Sequence, residues 1–565
     1  MAMSVRGPAY AAEVRVDATR QTPLRHIWTY VGYDEPNYTY TPAGRELLAK
    51  LGRLGDAPYY IRCHFLLCNG EGAGAPKWGY SNVYTEDAQG RPVYSWDIID
   101  RILDTIVACG CIPFVELGFM PRALTSAPAG TAYEGARAEG WGYPPRDYSR
   151  WLDLVRALAA HCVERHGLRE VSRWYWELWN EPDIFYWRGT VEEYCRLYDY
   201  TVAGLLAAIP QATVGGPGTT SPGRPEAGAF LRTFLEHCTR GVNAVTGARG
   251  TRLDYVSFHT KGGGYGTEPC APKKTPSLHT LTRHVAAGLA IIAEFPELCG
   301  HEVVLSECDP DGWAAGTTRD NPNLAYRNSE YYASYVGATA CKLIDLADER
   351  GPRVDAMLTW AFQFEDREYF EGLRTLSTNG VDKPVLNVLR LLGALRGARV
   401  ALSSDAARDP LAQEGADTPD VAPDVSGIAA LDACGALRVL LVSHHDDWDV
   451  NAATAITMTV TGLAPGRRYA VYRLAVDAES ANAHTAWQRM GAPAHADADQ
   501  RTALIDAARL RRTHLFDLSA DGSGRVILGA ELGSHGAYLF ELLPAIAVDA
   551  IDPLDAIAMD TIEEM

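Results

Sequence analysis

Between about residue 24 and residue 395, a strand-like apolar run gives way to a helical pattern eight times. No other feature of the chain restricts its fold as much. The runs are residues 26–33, 59–67, 112–119, 174–180, 212–216, 255–259, 302–307 and 357–362. Helical patterns separate them, among them 96–109, 148–166, 191–209, 278–295 and 328–350, and Thr190 followed by Glu193 reads as a capping box opening the third. This order predicts an α/β fold, a (β/α)8 TIM barrel with enlarged loops. An open doubly wound sheet would want a glycine-rich phosphate loop after an early strand. Gly262-Gly263-Gly264 follows the sixth run without that spacing and reads as a flexible loop.

The fourth run is Trp174-Tyr175-Trp176-Glu177-Leu178-Trp179-Asn180, followed by Glu181-Pro182. Strand alternation puts Trp174, Trp176 and Leu178 on one face and Tyr175, Glu177 and Trp179 on the other. Pro182 cannot donate to a ladder, so the strand is expected to stop about where Glu181 projects. A carboxylate at the C-terminal end of a barrel strand, among aromatic rings, suits chemistry on a sugar.

The region from about residue 398 to 545 carries short apolar runs at 438–443, 455–461, 469–474, 525–528 and 538–543, separated by turns such as Pro465-Gly466. It reads as a β-sandwich accessory domain packed on the barrel (24–397), entered through a loop at 405–424 rich in Ala, Asp and Pro. The N-terminal segment 1–23 is available to add a strand to it. The tail from Ile546, with Asp549, Asp552, Asp555, Asp560, Glu563 and Glu564, is expected to be loose.

Net charge is −19 with no block of Lys or Arg, which argues against nucleic acid or an anionic membrane as partner. Residues 1–18 lack the apolar core of a signal peptide, and no run is long enough to span a bilayer. The expectation is a cytoplasmic chain, or a periplasmic one whose export signal has been removed. The twelve cysteines are scattered without zinc-ligand spacing and read as reduced, buried thiols. No metal or cofactor is implied, and oligomeric state is left open.

Barrel enzymes keep their chemistry at the C-terminal ends of strands. Those ends present His64, Phe119, Asn180 with Glu181, His259, Glu307 and Trp360. Glu181 and Glu307, ending strands four and seven, can converge across the barrel mouth as the carboxyl pair of a retaining glycosidase. Glu177 and Glu116, inside their strands, read as partners of buried basic groups. Asp309 and Asp311, next to Pro310 and Gly312, read as residues that shape a turn.

The arrangement resembles glycoside hydrolase family 39, the family of β-xylosidases and α-L-iduronidases. The resemblance rests on Trp179-Asn180-Glu181-Pro182 together with Asp34-Glu35-Pro36-Asn37-Tyr38-Thr39-Tyr40, Asn82-Val83-Tyr84-Thr85-Glu86-Asp87 and Gly118-Phe119-Met120-Pro121. It also takes in Trp187-Arg188-Gly189-Thr190, Thr359-Trp360-Ala361-Phe362, Asn379-Gly380-Val381-Asp382-Lys383-Pro384 and Trp487-Gln488-Arg489-Met490-Gly491. It implies Glu181 as acid/base, Glu307 as nucleophile and Asn180 on the sugar 2-hydroxyl. His64, Phe119, His259 and Trp360 would line the subsite of the cleaved sugar, with Glu365 a looser match. Ile184-Phe185-Tyr186-Trp187-Arg188-Gly189 looks like bacterial β-xylosidases, whereas His259-Thr260-Lys261-Gly262 and Glu307-Cys308-Asp309-Pro310 also resemble the iduronidase side, where Lys261 would pair with a substrate carboxylate. The expected activity is a retaining, exo-acting β-D-xylosidase on xylo-oligosaccharides, with α-L-iduronide or α-L-arabinoside cleavage as the alternative.

Overall fold

The computed structural model describes residues 10–545 apart from 72–78, 136, 137, 271, 351, 352, 361, 364, 365, 410 and 412–421. Eight parallel strands close into a barrel, β2 (Tyr30–Tyr33), β3 (Tyr60–Cys63), β4 (Ile112–Leu117), β5 (Tyr175–Leu178), β6 (Thr213–Thr219), β7 (Tyr255–Lys261), β8 (Glu302–Asp309) and β9 (Ala356–Trp360), with β9 pairing back onto β2. Each expected run contains or overlaps its strand. The first and second strands are shorter than expected, because strand-like sequence extends into the loop before the first and the loop after the second. Helix α1 (Tyr148–His166) starts where the Asp147 side chain accepts from the N–H groups of Ser149 and Arg150. Helix α2 (Val191–Ala208) opens with the expected Thr190/Glu193 capping box. No described helix is long and apolar enough to cross a membrane.

The barrel interior is built in layers. At its base, Tyr30 stacks on Tyr60 at 4.7 Å, and Tyr175 meets Tyr60, Phe114 and Tyr255 at 5.1–5.3 Å between ring centres. These rings form an aromatic floor with Val304, Ala356 and Leu358. The alternate positions Trp176, Leu178, Val256 and Phe258 face outward into the larger core shared with the helices.

The C-terminal region forms one nine-stranded sheet that includes the chain's first strand, β1 (Tyr10–Pro23). The others are β10 (Ala398–Ser404), β11 (Asp424–Leu431), β12 (Leu437–His444), β13 (Thr454–Thr461), β14 (Arg468–Val476), β15 (Thr513–Ser519), β16 (Val526–Leu532) and β17 (Gly536–Pro544). Their order is β15-β14-β17-β12-β11-β10-β1-β13-β16, with β1 antiparallel to β10 and parallel to β13. The sheet curls so that both of its halves share one core, Val14, Val16, Ile456 and Leu528 from one side meeting Val439, Leu441, Val471 and Phe540 from the other. The expected sandwich thus takes the form of one sheet curled over its own core, its two halves standing as the two layers. Period two supplies its second face: Leu440, Val442 and Leu539 join the barrel's core, where helices α3 (Glu330–Arg350) and α4 (Pro384–Gly393) lie against the sheet. The cysteines are all free and most of them buried. The acidic tail and Glu365 lie outside the described residues.

Candidate active site

Above the aromatic floor lies a charged layer centred on Arg62 of β3, a residue that sequence reasoning passed over. Its guanidinium is fully buried and forked. Nε is 2.7 Å from Glu177 Oε2, and Nη2 is 2.9 Å from Glu116 Oε2 and donates to Asn180 Oδ1 at 3.0 Å. Glu116 and Glu177 are thus the buried partners of a basic group, as expected. The period-two pattern of Tyr60, Arg62 and His64 was the available signal, since a charged residue on the inward face of a barrel strand must be paired.

The mouth of the barrel brings Glu181 and Glu307 together. A Glu181 oxygen, a His259 ring nitrogen and a Glu307 oxygen all lie within 4.8 Å of one another. His259 Nδ1 is 3.0 Å from Glu181 Oε1 and 3.7 Å from Glu307 Oε2. This is the only metal-sized cluster among the described residues. Lys261 Nζ sits 2.5 Å from Glu307 Oε2, so a divalent ion would have to displace an ammonium already in place. The donor set fits proton handling better than metal binding.

Local backbone features aim both carboxylates. The β7–β8 register slips between Leu305 and Glu307, since Leu305 pairs with Phe258 and Glu307 with the next residue, His259. That bulge at Ser306 turns Glu307 and Asp309 inward, where strict alternation from Val304 would have turned them out. Trp179 (φ 68°) and Glu181 (φ 41°) are both left-handed, a strain of about 1–3 kcal/mol each. Hydrogen bonds from Glu181 N–H to the Gly218 carbonyl (2.9 Å) and from Thr220 N–H to Asp183 (2.8 Å) hold this segment against the end of β6 and the residue that follows it. The turn takes Trp179 out of the expected face shared with Tyr175 and Glu177. Its indole instead packs on Phe119 and Trp187 and donates to the Tyr186 carbonyl.

Electrostatics set the charge state of Glu307 and of the cations beside it. Burial alone would raise the Glu307 carboxyl, but His259, Lys261 and His64 outweigh it and hold the group well below the usual carboxylate range. For His64, burial pushes down, while Glu116 and Glu307 push harder and bring the imidazole up to about 9. Its Nδ1 bonds Glu116, and its Nε2 lies 3.4 Å from Glu307 and 3.5 Å from Asp34. Burial disfavours the Lys261 ammonium, yet Asp309 and Glu307 keep its value raised.

The other expected positions fall around this centre. Phe119 stacks on Tyr186 at 5.5 Å, and Trp360 lies 4.5 Å from the His64 ring with Arg62 over its face. Asp309 corrects the turn reading. It is the buried last residue of β8, 2.5 Å from Lys261 Nζ and 3.4 Å from Arg374 Nη1, and it accepts from Trp360 N–H at 2.9 Å. Proline and glycine next to it suggested a turn, but the bulge prolongs the strand by its own offset. Asp311 does shape the loop, clamping Arg327 at 2.6 Å.

Comparison with known proteins fits this geometry. The model of glycosyl hydrolases family 39 matches residues 12–523. The chain belongs to glycosyl hydrolase family 39. It is a glycoside hydrolase, and its substrates are carbohydrates. A β-xylosidase of Caldicellulosiruptor saccharolyticus is 25% identical over 429 residues, covering 74% of this chain and 77% of the relative. An α-L-iduronidase of Canis lupus familiaris is 27% identical over 563 residues, covering 92% and 76%. The structure of a β-xylosidase from Caulobacter crescentus CB15 matches with a TM-score of 0.72 at 23% identity, over 94% of this chain and 99% of that one. A bacterial orthologue of human α-L-iduronidase matches at 0.75 and 23%, over 95% and 85%. Both structures share the fold of this glycoside hydrolase.

Proposed function

We propose that the enzyme is a retaining glycosidase in which Glu307 attacks the anomeric carbon and Glu181 protonates the departing oxygen, then activates water. The observation that carries this reading is the approach of the two carboxylates to within 4.8 Å. Retaining enzymes hold the pair about 5–5.5 Å apart, whereas inverting enzymes leave about 6.5–9.5 Å for a water molecule. Glu307 is held ionised by the cations around it, as a nucleophile must be. Asn180 gives its oxygen to Arg62, a donor only, which leaves its NH2 group for a sugar hydroxyl.

The glycone we assign is β-D-xylose. Lys261 is neutralised by Glu307 and Asp309, Arg374 by Asp309, and Arg62 by Glu116 and Glu177. A pocket whose cations are already matched favours an uncharged sugar, because a substrate carboxylate would be buried without a counter-ion. A second reading, α-L-iduronide, draws on Lys261 and Arg374 standing together at Asp309, where a uronate could take over part of the pairing.

Kinetics of two variants test both levels. Glu307→Ala should lose turnover and regain it with azide, giving a glycosyl azide of inverted configuration. Glu181→Ala should be impaired far more on poor leaving groups than on activated aryl glycosides. Identical behaviour of the two variants would refute the roles, and a wild-type kcat/KM favouring an aryl α-L-iduronide over the aryl β-D-xyloside would refute the sugar.

A further inference from the structure

Phe185 is a large apolar side chain left 53% exposed, four residues after Glu181. A lone exposed hydrophobic residue is ordinary on a protein surface; the placement of this one is not. Its ring stacks on Tyr186 at 4.3 Å and 27°, and Tyr186 in turn stacks on Phe119 at 5.5 Å and 17°. The three rings make a continuous ladder from the buried wall of the sugar pocket to solvent. Tyr186 is buried, and its phenol is pushed well above its ordinary value, by burial first and then by Asp34, Glu181 and Glu307. The middle rung also lies 6.4 Å from the ring of His64, whose Nε2 is 3.4 Å from Glu307, and Phe185 is the next rung outward.

The segment that carries Phe185 is pinned on both sides. Ile184 N–H donates to the Glu181 carbonyl at 3.2 Å, Trp187 N–H to the Ile184 carbonyl at 3.1 Å, and Arg188 N–H to the Gly142 carbonyl at 2.8 Å. The Trp179 indole holds the Tyr186 carbonyl at 2.9 Å. One face of Phe185 is covered by Tyr186 and the backbone beneath is fixed, so the other face is offered to solvent with little conformational entropy left to lose.

We infer that Phe185 is the platform of the leaving-group subsite, on which the pyranose ring next to the cleaved sugar stacks its apolar face. This rests on Glu181 being the acid: a group that protonates the glycosidic oxygen must have the leaving sugar on its own side, and Phe185 belongs to the same loop. Aromatic faces suit the C–H faces of a pyranose, and such stacking adds to simple area burial.

The test compares a glycosyl fluoride, whose leaving group is too small to reach Phe185, with the disaccharide and trisaccharide of the same sugar, using the glycone that the wild type prefers. Phe185→Ala should lower kcat/KM for the oligosaccharides roughly tenfold and leave the fluoride within about twofold. Phe185→Trp should restore the oligosaccharide rate. Equal losses on fluoride and oligosaccharide, or no loss on either, would overturn the platform. Failure of the underlying reading has a separate signature, since a Glu181 that is not the acid would make Glu181→Ala fall equally on both substrates while Phe185→Ala could still discriminate between them.

Discussion

Replacing Arg62 with Met removes the hub of the charged layer at nearly constant volume. Arg62, Glu116 and Glu177 all have fully buried side chains. Glu116 would keep His64 as a partner, but the carboxylate of Glu177 would lose its ion pair inside the barrel. Breaking a buried pair by removing one member costs about 3–5 kcal/mol, chiefly because of the charge left behind. Adding Glu177→Gln removes that charge, so Arg62→Met/Glu177→Gln should recover about 2 kcal/mol of the loss despite being the more heavily substituted protein. Urea titrations of wild type, both single variants and the double variant, followed by tryptophan fluorescence at neutral pH, give the complete cycle. Arg62→Met should also lower kcat/KM, because Asn180 loses the donor that orients its amide. Arg62→Met within about 0.5 kcal/mol of wild type, or a double variant no more stable than Arg62→Met, would refute the reasoning.

Two further outcomes follow from the site. The His64 imidazole is raised from an ordinary 6.5 to about 9 in the folded protein, so its contribution is fully present below about pH 6.5 and is lost as pH climbs through about 9. In stability-against-pH curves, the advantage of wild type over His64→Gln should shrink across that window by up to about 3 kcal/mol, and parallel curves would contradict the assignment. Gly32→Ala would drive a methyl group into the Trp360 ring, and Leu358 closes off the other side at 2.7 Å. Such overpacking should cost about 1–3 kcal/mol and reduce kcat/KM through the displaced indole, which Tm and steady-state kinetics measure together.

The barrel was legible because strand and helix periods alternate cleanly over a long stretch, and because Pro182 marks where a strand must stop. Glu181 and Glu307 were legible as strand-end carboxylates. Features that depend on how strands meet were not. The bulge at Ser306 cannot be read from β8 alone, since it exists only against the register of β7, and it is what turns Asp309 from an apparent loop residue into a ligand of Lys261. Trp179 left its expected face because its left-handed backbone breaks the alternation. Strand β15 was missed for another reason. It pairs only with β14, at the edge of the sheet, and its side chains are mostly exposed, so it carries little of the apolar alternation that marks a strand. Arg62 was legible in principle, for its inward register with His64 was already in the sequence.

In the β1–β10 pair, the register partner of Pro23 is Ala398. The residue where the chain leaves the sheet for the barrel and the residue where it returns thus face each other across one ladder. Topologically the barrel is cargo spliced into a hairpin. A short loop from Pro23 to Ala398 would leave every strand pair of the nine-stranded sheet intact, with the core around Val439 and Phe540 still closed. It would leave Leu440, Val442 and Leu539 bare, because their cover comes from α3 and α4 of the cargo itself. The two helices, more than the splice points, are the plug that fits this socket, and any other insert would have to bring an equivalent apolar pair to the same face.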